Sequence, residues 1–178
     1  MSQNSITATV NLGFLTIVQE ANSSAGGYLV TNSWGRPLEF RLSTAVQPSR
    51  VHQILYGSTL WSYVCADLIG KTLLDKAAVP VRMVFTDHDA VLDLRLRVEI
   101  PVAHLVPAEG SFEEGADPRS ERSERALLRY HLSFPGDERT VRDLLSGLDP
   151  AFDLREPFVR IREAMSEARR MGITNRAA

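Results

Sequence analysis

The chain has a single cysteine, Cys65, in 178 residues. One thiol excludes an internal disulfide and a cysteine-based zinc site built within one chain, and it points to a reducing compartment, with the cytoplasm as the expected location. Lysine is nearly missing as well: Lys71 and Lys76 are the only two, and arginine supplies the rest of the 20 basic side chains. Against 22 acidic residues these leave a net charge of -2. That balance excludes a global field strong enough to draw nucleic acid or an anionic membrane by itself. No 18 apolar residues run together, and the first 20 residues lack a basic n-region, a compact apolar run and a small-residue cleavage site. Neither membrane insertion nor export is expected.

What is present suits one sizeable core: 44% of the residues are hydrophobic, and the length is short for two ordinary domains. Residues 6–20 are rich in β-branched and aromatic types and read as one bent strand or two short ones, with Gly13 as a bulge or turn point. The turn cluster Asn22 to Gly27, with its paired glycines, predicts a hairpin into a second strand. Leu38, Phe40 and Leu42 alternate with Glu39 and Arg41, which predicts a third strand with the leucines and Phe40 buried and the charges wet. Pro48 and Ser49 open a short helix that Gly57 closes, and Thr59 caps a longer one to about Lys76. Its stripe of Leu60, Trp61, Val64, Cys65, Leu68, Ile69 and Leu73 should lie across the sheet. Residues 81–86 and 91–98 read as paired strands around the turn Asp87 to Ala90, and 100–106 extends the sheet. A further strand at 127–134 precedes helices at about 137–146 and 154–170.

The fold expected is α+β: a mainly antiparallel sheet with one long helix packed on it, plus a C-terminal helical tail after a flexible linker. Residues 1–106 form the core domain and 107–126 a charged linker, poor in large apolar residues, that cannot offset its ordering entropy by burial. Residues 127–178 form a strand and two helices that dock on the core or on a partner. In the last helix Leu154, Phe158, Ile161, Met165 and Ala168 recur at steps of four and three, a narrow seam of the kind that pairs helices.

No catalytic set passes a spacing test. The densest polar group is Thr86, Asp87, His88 and Asp89, where two carboxylates beside an imidazole suit a divalent ion or acid–base work; the same residues also suit an ordinary turn. His52, His104 and His131 lie in separate elements, and no serine-hydrolase elbow or phosphate-binding glycine loop is present. Trp34 and Arg36 share a turn, a residue pair enriched at binding hot spots.

The functional expectation is a non-enzymatic adaptor or accessory subunit that binds protein or self-associates through Trp34 and Arg36, through Phe158, Ile161 and Met165, or both. No cofactor is indicated. One alternative is a small metal-dependent hydrolase using Asp87, His88 and Asp89. A second is a nucleic-acid-binding accessory module using Arg155, Arg162, Arg169 and Arg170, with binding that falls as salt rises.

Overall fold

The computed structural model describes residues 10–106 and 127–172. Residues 6–9 of the expected first strand and the expected linker at 107–126 lie outside the described residues. Strands β1 (Leu12–Glu20), β2 (Ser23–Thr31) and β3 (Pro37–Leu42) form an antiparallel meander. Next come helix α1 (Arg50–Tyr56) and a continuous helical run, α2. It consists of a 3₁₀ turn (Gly57–Thr59), an α turn (Leu60–Ser62), a π-helix (Tyr63–Lys71) and a last α turn (Thr72–Lys76). Strand β4 (Met83–Thr86), 3₁₀ helix α3 (Asp89–Leu96), β5 (Val102–Val106), β6 (Leu127–Tyr130), α4 (Asp137–Ser146) and α5 (Glu156–Arg170) follow among the described residues.

The six strands make one sheet in the order β3-β2-β1-β4-β5-β6. It is mixed rather than mainly antiparallel, because β4 lies parallel to both β1 and β5 while β6 is antiparallel to β5. Parallel neighbours cannot be joined by a tight turn. Residues 87–101 therefore serve as the crossover from β4 to β5 and are not the hairpin partner that the alternation of Leu92, Leu94 and Leu96 suggests. Within that crossover Val91 and Leu94 are fully buried at the three-residue spacing of a 3₁₀ helix, and Leu96 is left 49% exposed.

Each face of the sheet has its own core. On one face Leu15, Ile17, Tyr28, Val30, Val84 and Val102 pack against Val64, Cys65, Ile69 and Leu73 of α2 and Val91 and Leu94 of α3. On the other, Leu12, Phe14, Leu29, Met83, Phe85, Ala103 and Leu105 pack against Val141 of α4 and Phe158, Ile161 and Met165 of α5. Phe14 stacks on Phe85 at 5.4 Å between centroids and meets Phe158 edge-on at 5.6 Å. Because β1 and β4 are covered on both faces, apolar side chains occupy successive positions along them, as buried parallel strands require.

The paired glycines lie within β2, not at the turn, which falls at Ala21 and Asn22. A Cβ on Gly26 would sit 2.3 Å from Ile69 Cγ2, and one on Gly27 would sit 2.4 Å from Ile161 Cγ2. The pair lets a helix approach β2 closely from either side. The edge strand β3 inverts its expected pattern. Leu38 and Phe40 are 43% and 40% exposed, while the Glu39 side chain is 11% exposed and bonded to the loop after α2. The core helices concentrate over the inner strands, so alternation on β3 marks no buried apolar face.

Candidate interaction surface and polar cluster

Strands β1, β4 and β5 end on the same edge of the sheet, the place where open sheets with parallel strands collect ligand-binding groups. Asp87 follows β4 there. Its Oδ2 accepts from Thr16 Oγ1 at 2.9 Å and from Arg162 Nη2 of α5. Its Oδ1 is buried with no hydrogen-bond partner. The His88 ring nitrogen Nε2 lies 2.8 Å from the Ile17 carbonyl, and the ring meets Trp61 edge-on at 6.4 Å. Asp89, on the exposed side, turns back to accept from the Ala90 amide at 2.8 Å. His104 on β5 lies beside Thr86 in the parallel pairing and is 7% exposed, with Nδ1 unpartnered. Burial holds its imidazole below the usual range; Asp89 and Asp87 oppose that, while Arg129 and His88 add to it.

The sequence thus placed Asp87, His88 and Asp89 at a junction of elements, but it missed Thr16, His104 and Arg162, which come from β1, β5 and α5. Nothing in their local sequence signals the meeting. Among the described residues, no group of three or more His, Cys, Asp or Glu is placed to hold a metal ion. The negative charge of Asp87 is answered by a guanidinium.

Strand β3 runs in the direction of β1, so the segment leading to α1 leaves the sheet at this same end. Ser49 caps α1 by accepting from the His52 amide at 3.2 Å, and Gly57 closes the helix at φ +51. Not one residue of α1 is buried. Val51, Ile54 and Leu55 are 62%, 65% and 75% exposed, at the i, i+3, i+4 spacing that normally faces a core. The helix is braced instead at its end, where Tyr56 stacks on Tyr63 at 4.2 Å. Between Arg41 and Asp67 the only ionisable side chains apart from these tyrosines and buried Cys65 are Arg50 and His52. At the chain's average of 24% charged, a run of that length carries about six charges. That shortage was the available signal for the surface.

At the opposite end, the turn between β2 and β3 is held by Asn32, whose Oδ1 accepts from the Trp34 and Arg36 amides at 3.0 Å each. Arg160 Nη1 donates to the Gly35 carbonyl at 3.0 Å, tying the turn to α5. Trp34 stands out of it, 73% exposed, with Arg36 exposed beside it. Phe158, Ile161 and Met165 are 3%, 1% and 3% exposed, covered by the chain's own sheet. The tail arginines are largely answered: Arg162 pairs with Asp87, Arg169 with Glu20 and Arg170 with Glu167 at 3.2 Å.

No family model matches the chain. No curated protein matches it either. Among solved structures, two complexes of Ciona intestinalis Endonuclease V are similar to it. One holds a 23mer DNA containing an inosine followed by a ribo-adenosine, at 9% identity and TM-score 0.41 over 57% of this chain and 47% of that one. The other holds a 24mer of the same description, at 8% identity and TM-score 0.34 over 57% and 48%. The chain spans about half the length of these structures, and a likeness this loose bears on neither mechanism nor ligand. Among the described residues no helix is long and apolar enough to cross a membrane.

Proposed function

We propose that this chain is a non-catalytic adaptor or accessory subunit that binds protein, and that α1 is the centre of its binding face. The observation that carries this reading is a helix with no buried residue and with Val51, Ile54 and Leu55 turned outward. Interface cores are depleted in charge, as the stretch of sequence that carries α1 is. Scattered exposed apolar residues need no explanation, but three at core spacing on one projecting helix do. Trp34 and Arg36, on a turn held by five hydrogen bonds, form a second, smaller anchor at the other end. The test is paired affinity capture from the native host, with the native chain and an Ile54→Glu/Leu55→Glu variant as baits. Partners held by the native chain and lost by the variant are expected. Identical partner sets would remove α1 from the reading.

One observation favours a second reading, a small metal-dependent hydrolase at Asp87, His88 and Asp89. Asp87 Oδ1 and His104 Nδ1 are buried without partners at the parallel strand ends, and such atoms in native proteins call for an explanation such as a bound ion or water. Calorimetric titration with Mg²⁺, Mn²⁺ and Zn²⁺ decides it. Heat that vanishes in an Asp87→Ala/Asp89→Ala variant supports this reading, and a parent protein that evolves none dismisses it.

A further inference from the structure

Strand β3 stands last in the sheet order, so one of its sides has no strand beside it. Which groups face that side follows from the pairing with β2. The amide of Ser43 donates to the Gly26 carbonyl at 2.9 Å, one step beyond the paired residues Gly27 and Leu42. Bonding alternates along an antiparallel pair, so Ser43, Arg41 and Glu39 are bonded to β2, while Leu42 and Phe40 turn their amides and carbonyls outward. The register shifts between Val30 and Thr31, at the head of β3, and leaves Glu39 to Leu42 regular. Among the described residues no backbone group closes the outer side of this stretch. Edges that stay single are guarded by lysines or charges set over them. Here there is no lysine, Leu38 and Phe40 are exposed, and the two charged side chains are tied back on the chain itself. Glu39 accepts from the Ala78 and Val79 amides and from Arg41.

We infer that β3 pairs with β3 of a second copy of this chain, antiparallel about a two-fold axis at Phe40, so that the two sheets join edge to edge. The inference stands apart from the reading of α1. A two-fold contact needs a patch complementary to itself. The run Leu38-Glu39-Phe40-Arg41-Leu42 has that property about its centre: leucine falls opposite leucine, phenylalanine opposite phenylalanine and glutamate opposite arginine. In this register the outward amide and carbonyl of Phe40 meet their own counterparts across the axis, and those of Leu42 meet the backbone at Leu38. Arg41 gives only Nε to Glu39, and its terminal nitrogens, without a partner among the described residues, face Glu39 of the second copy. A slip of two residues toward either end keeps the outward groups paired but sets Glu39 against Glu39 or Arg41 against Arg41. Like charges directly opposite destabilise a strand pair, so the charges select the Phe40 register. An unrelated strand would have to bring an arginine, an apolar residue and an acid in matching order, and this chain carries that order itself.

Light scattering coupled to size exclusion, on the full chain at up to about 100 μM, reads the association. The native protein should approach twice the 19.8 kDa chain mass. Arg41→Glu sets acid against acid in all three registers, and Phe40→Lys sets two lysines at the axis. Each should run at the single-chain mass, with the dissociation constant raised at least about tenfold. A cooperative melt followed by circular dichroism verifies that each variant is folded. A second arm reads the register without disrupting the edge. Facing Cα atoms in a hydrogen-bonded antiparallel pair lie about 5.5 Å apart, within reach of a disulfide. Phe40→Cys should therefore give a covalent dimer under mild oxidation. Leu38→Cys, exposed on the same strand but about 14 Å from its counterpart by strand rise, should not. Native Cys65 is fully buried. A native protein that stays monomeric, a dimer that survives both substitutions, or equal cross-linking at positions 38 and 40 overturns the inference. None of these variants alters residues 50–56, so host capture with the Ile54→Glu/Leu55→Glu bait tests α1 separately.

Discussion

Glu39 is the residue through which the edge strand holds the end of α2. Its carboxylate accepts from the Ala78 amide at 2.9 Å and the Val79 amide at 2.8 Å, and from Arg41 Nε at 2.5 Å. Burial pushes its pKa up, but the Val79 and Ala78 amides and the Arg41 guanidinium outweigh it, and the carboxyl sits below its ordinary value. A depressed carboxylate stabilises the fold above its unfolded pKa, and that contribution is lost as pH falls through the folded value. Glu39→Gln is therefore expected to lower stability by about 1–2 kcal/mol at pH 7. The difference from the native protein should shrink to nothing in the acid range; chemical denaturation of both proteins across pH 3–7 checks it. Charge alternation in the sequence put Glu39 on a wet face, because nothing local tells that residues 40 positions later would come down over it. Cys65 was legible for the opposite reason. It belongs to a long apolar stripe, and its burial in the core, which pushes the thiol up to about 12, follows from its neighbours in sequence.

Among the elements, those with a helical period of their own were legible, and those defined by distant strands were not. Helix α4 spans Asp137–Ser146 as its polar and apolar spacing implied, and α5 buries Phe158, Ile161, Met165 and Ala168, the seam read from the sequence. Periodicity says which stripe of a helix is covered but not by what. Here the cover is the chain's own β1 and β2, with Gly27 giving Ile161 and Met165 their seat. Residues 91–98 failed as a strand because the side chains that reach the core are Val91 and Leu94, three apart as in a 3₁₀ helix, and not the alternating leucines, and the parallel placement of β4 and β5 left only a crossover for the segment to make. The sequence resolved α1 as a helix, yet its exposed apolar face escaped notice since an i, i+3, i+4 triad ordinarily means a core contact. The site cluster was half legible: Asp87, His88 and Asp89 are adjacent in the chain, whereas Thr16, His104 and Arg162 meet them only through strand order and helix docking.

For the whole molecule, the tail is an integral layer of the fold. Helix α5 covers one face of the sheet with three large side chains almost wholly buried, each contributing about 1.5–3 kcal/mol. Total stabilities of single domains lie at about 5–15 kcal/mol. Truncation before Glu156 should therefore leave a chain that has lost its cooperative melt and aggregates through Phe14, Phe85 and Leu29, measured by calorimetry and static light scattering. A truncated chain that melts sharply as a monomer would mean that α5 is dispensable and that its seam serves something else. Strand order is the part of the whole that the sequence did not contain in readable form, for pairing depends on contacts tens of residues apart. The late position of α5 also bears on how the protein is made. A ribosome releases the strands described here before the helix that roofs them, so Phe14 and Phe85 stay uncovered on the nascent sheet until α5 emerges.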